Sequence, residues 1–221
     1  MVRVAGSEPA RRHAKGVVIA LAGALAAAAA TVGALHALAP DHWVPIAVVG
    51  RARRWSLGRT MRVALACGFG HVTVSAALGV IALVSGTAVV EALGARTGAF
   101  AGALMIGFGI VYALWHLARH DDDHVRDPSR ATAWTLFALY CADPCVAVVP
   151  IVFAAAPLSK LATVAIVLVY EASTIATMVG LVLVSRAGAS AFRGAWIERY
   201  GDSTAGGLIA ATGIVVALAG W

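Results

Sequence analysis

Charged residues are scarce in this sequence: Asp, Glu, Lys and Arg together make up 13% of its 221 residues. Soluble domains carry about 25% of these residue types. Hydrophobic residues make up 61% of the chain, and the mean hydropathy is +0.86. This composition excludes an ordinary soluble domain and predicts an integral protein of the cell (inner) membrane. The length allows one transmembrane domain over residues 1–221, with no room for a separate soluble domain.

Cysteine is also rare, and each of the three cysteines lies inside an apolar segment: Cys67, Cys141 and Cys145. This placement argues against the disulfide framework of a secreted domain. A net charge of +6 can indicate nucleic-acid binding. Here the Lys and Arg residues lie between apolar runs rather than on one patch, so we predict no nucleic-acid partner and interpret them as topology signals.

Six apolar segments follow from a membrane-scale hydropathy window. They are residues 16–39 (continuing, with a break, to 49), 60–85, 97–118, 132–156, 161–185 and 204–221. The first ends near Ala37-Leu38-Ala39, which imitates a signal-peptidase site. Its apolar run is longer than the 7–15 residues usual in a signal peptide, so we predict that it is retained as the first membrane helix.

Positive charge predicts the orientation of these segments. The first, third and fifth connections carry 11 of the 17 Lys and Arg residues. The positive-inside rule then places these connections in the cytoplasm and both termini outside, although the basic N-terminal tail opposes this. We expect the second connection to be a short turn that holds Glu91 and Arg96.

The chain is organised around the stretch 36–45, which places two histidines, an aspartate and two prolines inside the first apolar run. That run of about 35 residues would make a straight helix on the order of 50 Å long, against a hydrocarbon core of about 30 Å. Pro40 and Pro45 predict where this helix breaks. Each proline lacks the amide hydrogen that would bond the carbonyl four residues earlier, so the carbonyls of His36 and Asp41 should be free to bind a cation. The break would gather His36, Asp41 and His42 as ligands. The alternative is an interfacial turn in which Asp41 caps a half-helix.

An internal repeat relates the two halves of the chain. Residues 35–46 and 139–151 both place His, Cys or Asp around one proline and a second proline five or six residues later. The next segment of each half carries one ionisable group, His71 or Glu171. Three crossings per repeat make the repeats inverted, and broken helices at matching positions indicate a transport site at the midplane. We therefore predict an all-α polytopic fold of six transmembrane helices, with repeats over about 16–118 and 132–221 and Pro-broken helices 1 and 4.

Further candidate ligands lie deep in the later segments. His71 shares a helix face with Cys67 and Ser75, and the alternative is a histidine that packs between helices. Glu171 is either a ligand or the proton carrier of a coupled cycle, or else a neutral acid bonded to another helix. Cys141, Asp143 and Cys145 form a Cys-Ala-Asp-Pro-Cys group that suits soft or borderline metals. The alternative is two small cysteines that pack as apolar residues.

Histidines and aspartates also cluster at the third connection. His116, His120 and His124 flank the run Asp121-Asp122-Asp123. Such a run can capture metal peripherally, but a solvated charged loop has the same composition.

The pattern His36-x4-Asp41-His42 resembles the signature of the nickel/cobalt transporter families. The chain is most similar to their short six-helix branch, which holds efflux-type and urease-accessory-type proteins within the lysine-exporter-like superfamily. The resemblance implies a divalent metal permease in which His36, Asp41 and His42 are essential. It covers about ten residues closely and the rest only as six helices with breaks in the first and fourth. The connection 119–131 is shorter and poorer in histidine than in many efflux members.

The sequence therefore favours a permease for a divalent transition metal rather than an enzyme. Nickel and cobalt are the first candidates, and the cysteines leave zinc, iron or copper open. Its expected partners are the metal and the bilayer, and a homo-oligomer is open. No cofactor is expected beyond the transported metal. The alternative is a membrane thiol–disulfide carrier, because Asp143-Pro144-Cys145 is similar to the Pro-Cys segments of cytochrome-c-biogenesis proteins. That carrier would use Cys141, Cys145 and Cys67.

Overall fold

The computed structural model describes residues 7–85, 87–118, 129–143, 145, 147–189 and 195–219. These residues form helices and short turns, and no strand occurs among them, so the predicted all-α class is confirmed. The helices are α1 Ser7–Ala37, α2 Val44–Ala52, α3 Leu57–Ser85, α4 Thr87–Ala118, α5 Ser129–Cys141, α6 Val148–Ala155, α7 Lys160–Ala189 and α8 Ala195–Ala219. A three-residue 3-10 turn, Pro40–His42, stands between α1 and α2.

Three helices in the described part of the chain are long and apolar enough to cross a membrane. They are Ala10–Ala37, Leu57–Ser85 and Lys160–Gly188, and the most apolar 18-residue stretches within them have mean hydropathies of 2.2, 1.9 and 2.0. Shorter apolar helices cover Gly102–Trp115, Ala131–Cys141 and Ser203–Leu218. Large apolar side chains such as Val84 (85% exposed), Leu161 (80%) and Leu218 (83%) lie on the outer surface. A surface of this kind is stable against lipid rather than water, which indicates a membrane protein.

The helices extend beyond the apolar segments from which they were predicted. The clearest difference is α4, which begins at Thr87, so Glu91 and Arg96 lie within a helix and the predicted turn is wrong. Hydropathy identifies the part of a helix suited to lipid, whereas the helix itself is held by backbone hydrogen bonds. Residues 88–96 include Ala, Leu, Glu and Arg, which are strong helix formers, so the backbone stays helical outside the apolar run.

The chain leaves helical geometry at two points that matter for the site. The helix α1 ends at Ala37 and α2 begins at Val44 with Pro45 in its first turn, where a missing amide hydrogen costs little. In the second half, α5 ends at Cys141 and α6 begins at Val148. The His36 carbonyl accepts a hydrogen bond from the Ala39 amide at 3.1 Å. A carbonyl oxygen has a second lone pair, so the expectation that Pro40 leaves this oxygen open to a cation stays a prediction.

Helices from the two halves pack against one another. The most extensive contacts join α4 to α8 and α1 to α7, and α3 lies against α5, α6 and α7. The α4–α8 contact is a close approach of backbones, because a Cβ on Gly109 would lie 2.5 Å from the amide nitrogen of Ala210 and the carbonyl oxygen of Gly206. Small residues allow membrane helices to approach in this way. The last residues of α1 therefore lie beside α7, and the middle of α3 lies beside the break between α5 and α6.

Replacing Gly109 with alanine tests this close approach. We expect Gly109→Ala to destabilise the protein by about 1–3 kcal/mol, the usual cost of overpacking. Gly107→Ala is the matched control, because a Cβ at Gly107 meets nothing within 4 Å of it. Alanine is a better helix former than glycine by about 1 kcal/mol, so the control should be neutral or stabilised. Thermal unfolding in detergent measures both, and equal unfolding temperatures for the two variants would contradict the packing.

Candidate metal centre

Three histidine rings meet at the break between α1 and α2. His36 lies in the last turn of α1, His42 ends the 3-10 turn, and His71 is in the middle of α3. The ring centroids of His36 and His42 are 4.2 Å apart, those of His42 and His71 are 4.9 Å apart, and those of His36 and His71 are 6.0 Å apart. His42 and His71 are each 3% exposed. The sequence-predicted ligands from the first and second apolar segments are thus brought together.

Hydrogen bonds orient two of these rings. The Nδ1 atom of His42 lies 3.0 Å from Oδ1 of Asp41, and Nδ1 of His71 lies 3.3 Å from the carbonyl oxygen of Tyr140. A carbonyl only accepts, so Nδ1 of His71 carries the proton and Nε2 carries the lone pair. The same holds for His42 beside a carboxylate. A ring nitrogen bonded to a carboxylate or backbone oxygen is the usual support of a metal-binding histidine.

The opposite nitrogens of all three rings point into the protein. Within the described residues, the Nε2 atoms of His36, His42 and His71 are buried and make no hydrogen bond. An unsatisfied buried polar group costs about 1–3 kcal/mol, so three such atoms in one place need an explanation. A transition-metal cation accepts nitrogen lone pairs and would satisfy such atoms.

Two carboxylates and a tyrosine border the same space. The cavity beside the histidines is lined by Asp41, His42, His71, Met105, Leu139, Tyr140 and Asp143. The hydroxyl of Tyr140 donates to the His42 carbonyl at 2.8 Å and ties α5 to the 3-10 turn. Two carboxylates in a low-dielectric setting repel each other and attract a cation. Their positions, one from each half of the chain, suit a divalent ion.

Cys145 reaches the histidines from the break between α5 and α6. Cys145, His36 and His71 each offer a side-chain ligand atom, and these three atoms lie within 4.8 Å of one another. The Cys145 amide donates to Oγ of Ser75 at 2.8 Å, and that hydroxyl donates to the His71 carbonyl at 2.8 Å. Ser75 therefore ties the second break to the helix that carries His71.

Comparison with family models, with curated proteins and with solved structures found no match to this chain. Inference about the site therefore rests on its own geometry and chemistry.

Other predicted ligands lie away from the histidine rings. Cys141 faces α3 at Gly70, where an added Cβ would lie 2.6 Å from its sulfur. Glu171 is half-buried on α7 and does not line the cavity. Neighbouring Ser173 and Thr174 donate to the carbonyls of Ala30 and Gly33 and hold α7 against α1.

The predicted peripheral capture site cannot be placed on the structure. His120 and His124 lie outside the described residues, as does the side chain of His116, whose backbone belongs to α4.

Sequence reasoning missed the residues that support the ligands. Tyr140 and Tyr170 are almost completely buried, and their hydroxyls bond the His42 carbonyl and the Cys145 sulfur. Met105 lines the cavity from α4. The signal that could have found the tyrosines is a phenol inside an apolar segment, because a buried hydroxyl needs a partner.

Loss of the Ser75 hydroxyl should weaken the link between Cys145 and α3. We expect Ser75→Ala to lower the free energy of unfolding by about 1–3 kcal/mol, because the buried Cys145 amide loses its acceptor. Ser85→Ala is the matched control on the same helix, where an exposed hydroxyl donates to the Ile81 carbonyl at 2.7 Å. Removal of that exposed bond should be close to neutral. Thermal unfolding in detergent compares the two, and an unchanged Ser75→Ala protein would show that the link carries little stability.

Proposed function

We propose that this protein is a multi-pass permease of the inner membrane that carries a divalent transition metal, with nickel or cobalt as the first candidates. The observation that carries the proposal is the group of three histidine rings whose buried Nε2 atoms lack a partner among the described residues. Asp41 and Asp143 line a cavity together with two of these histidines, His42 and His71, and would offset the charge of the ion. The resemblance of His36-x4-Asp41-His42 to the nickel/cobalt transporter signature points the same way.

The ring geometry favours a metal over a purely structural role. Histidines that only pack between helices are expected to use their polar nitrogens on neighbouring groups. Here Nδ1 of His42 is bonded to Asp41 and Nδ1 of His71 to the Tyr140 carbonyl, and both buried Nε2 atoms lack a partner among the described residues. Imidazole is a good ligand for nickel, copper, zinc and iron, and its support by a carboxylate raises its basicity.

The pattern of helix contacts supports the inverted repeat. In the proposal, the first half consists of α1–α2, α3 and α4, and the second of α5–α6, α7 and α8. If the two halves are equivalent, α1 corresponds to α5 and α3 corresponds to α7. The α1–α7 contact then corresponds to the α5–α3 contact, and both contacts are present. The α4–α8 and α3–α7 contacts map onto themselves and are also present. These correspondences are expected when two three-helix halves are related by a pseudo-two-fold axis, as in inverted repeats. The α2–α8 contact departs from the pattern, because α6 and α4 make no contact of similar extent among the described residues.

Contacts of basic residues support the proposed orientation. Arg186, at the end of α7, donates to the Thr60 hydroxyl and to the Trp55 carbonyl near the start of α3. Arg53 donates to the Tyr112 hydroxyl near the end of α4 at 2.8 Å. The first and fifth connections and the end of α4 therefore share one end of the bundle. By the positive-inside rule this arginine-rich end is cytoplasmic.

Transport would follow from movement of the two broken segments against each other. The first break holds Asp41 and His42 and the second holds Asp143 and Cys145, all beside His71, so a rocking motion of one half would open the site to alternate sides. Metal binding releases protons from its ligands. Glu171 on α7 would carry the compensating proton.

Metal accumulation in cells that express the protein tests the function. Nickel, cobalt, zinc, iron, manganese and copper are measured together by elemental analysis at matched protein levels. We expect wild type to change the content of one or two metals and Asp41→Asn to reduce that change by about 10–100-fold, because the support of His42 is lost. Glu8→Gln is the matched control, since Glu8 is 82% exposed and 3.9 Å from Arg12.

Three outcomes separate the possibilities. A change that vanishes in Asp41→Asn but not in Glu8→Gln supports a permease, and its sign distinguishes import from export. No change in any metal with well-folded wild-type protein contradicts the proposal and favours thiol–disulfide chemistry. A change that survives Asp41→Asn rules out this site as the route.

The proton role of Glu171 predicts a change in pH dependence. In proteoliposomes, wild type should transport metal at rates that vary with pH, because a proton moves in each cycle. Glu171→Gln cannot release that proton, so we expect slower transport with little dependence on pH. Initial rates over a pH series measure this, with Glu8→Gln as control. If Glu171→Gln has the wild-type pH profile, the coupling role is wrong.

A further inference from the structure

We propose that Cys145 is a metal ligand at the histidine site and that it makes the substrate a borderline or soft cation. The sulfur of Cys145 joins His36 and His71 in a mixed nitrogen–sulfur set. Such a set accepts cobalt, nickel, zinc or copper and rejects magnesium and manganese, which prefer oxygen ligands. This inference rests on the proposed function and specifies its substrate class.

The distances between the three ligand atoms suit one shared ion. In a tetrahedral zinc site with bonds of about 2.0–2.3 Å, the ligand atoms lie about 3.3–3.6 Å apart. Here all three atoms lie within 4.8 Å of one another. Small side-chain rotations would close the remaining distance of about 1 Å. His42, whose ring is 4.2 Å from that of His36 and 4.9 Å from that of His71, stands ready as a further nitrogen donor.

The surroundings of Cys145 are those of a supported ligand rather than of a packing residue. Its side chain is 4% exposed, and its sulfur lies 2.8 Å from the hydroxyl of Tyr170 on α7. Its backbone is fixed through Ser75 to the helix of His71. Hydrogen bonds that orient a ligand and donate to its sulfur are the typical outer support of a metal site. Tyr170 is then a positioning residue from the second half of the chain.

The other cysteines lack this environment. Cys141 is four residues away but packs against Gly70 and the ring of Phe137. Cys67 is fully buried within the apolar core that includes Ala64 and Met178. Cys145 also belongs to an apolar cluster, but among the described residues its sulfur is the one grouped with ligand atoms of two histidines. Cys141 belongs to the same Cys-Ala-Asp-Pro-Cys group as Cys145 but lies outside the histidine site. Membership of that group therefore does not by itself explain why Cys145 lies beside the histidines.

Cobalt(II) binding to the purified full-length protein in detergent tests the sulfur ligand. Wild type should show both the visible d–d bands of bound cobalt and a near-ultraviolet charge-transfer band from sulfur. Cys145→Ser should lose the charge-transfer band and bind cobalt at least about tenfold more weakly. Loss of a group that only supports a ligand already weakens metal binding by about 10–100-fold, and loss of a ligand itself should cost at least as much. Cys141→Ser is the matched control and should keep the band and the affinity. Zinc should displace cobalt, whereas excess magnesium or manganese should not.

A second variant keeps the test decisive if Cys145→Ser does not fold. In the double variant Cys67→Ser/Cys141→Ser, Cys145 is the only thiol, and the charge-transfer band should remain. Loss of the band in that variant, or its persistence in folded Cys145→Ser, overturns the sulfur ligand. Cobalt that binds wild type with d–d bands alone also overturns it, while the proposed function stands. Wild type that binds neither cobalt, nickel nor zinc contradicts the proposed function itself.

Discussion

The site depends on how an apolar bundle holds three imidazole rings close together in its interior. The carboxylate of Asp41 and the carbonyl of Tyr140 each occupy Nδ1 of one ring, which leaves Nε2 of His42 and of His71 for another partner. Within the described structure those Nε2 atoms have no hydrogen-bond partner, and each such group is expensive in a low-dielectric interior. A bound cation would remove that cost, so metal affinity and the stability of this region are expected to be linked.

The break in the first apolar run is what makes the ring arrangement possible. On a straight helix, positions 36 and 42 would be separated by about 9 Å along the axis. Their ring centroids are 4.2 Å apart, because the 3-10 turn from Pro40 to His42 folds the chain back on the end of α1. The Ala39 amide bonds the His36 carbonyl and the His42 amide bonds the Ala39 carbonyl, so the turn keeps part of its own backbone hydrogen-bonded while it presents the side chains of Asp41 and His42.

The bundle combines a close-packed pair of helices with a site built on interrupted ones. The backbones of α4 and α8 touch through glycines such as Gly109 and Gly206, which leaves no space for adjustment there. The break after Ala37 instead holds His42 in a three-residue turn, and the break after Cys141 holds Asp143 and Cys145 beside His71. Ligands on short segments can change position without disrupting a long helix. A close-packed pair of helices beside two interrupted ones would suit the alternating access that we propose for this site.

Composition and pattern determined the broad features of this protein. Scarce charge and long apolar runs predict membrane helices because lipid excludes charge, and prolines within the first run predict an interruption near His36. The pairing of His71 with that interruption, and the separation of Cys145 from Cys141, were decided only by tertiary structure. The position of His71 and the different positions of the two cysteines both depend on which helix faces meet across the bundle. The long sequence separation between Ser75 and Cys145 carries no local signal, and an apolar helix that is hydrophobic on all sides does not reveal which face is inside.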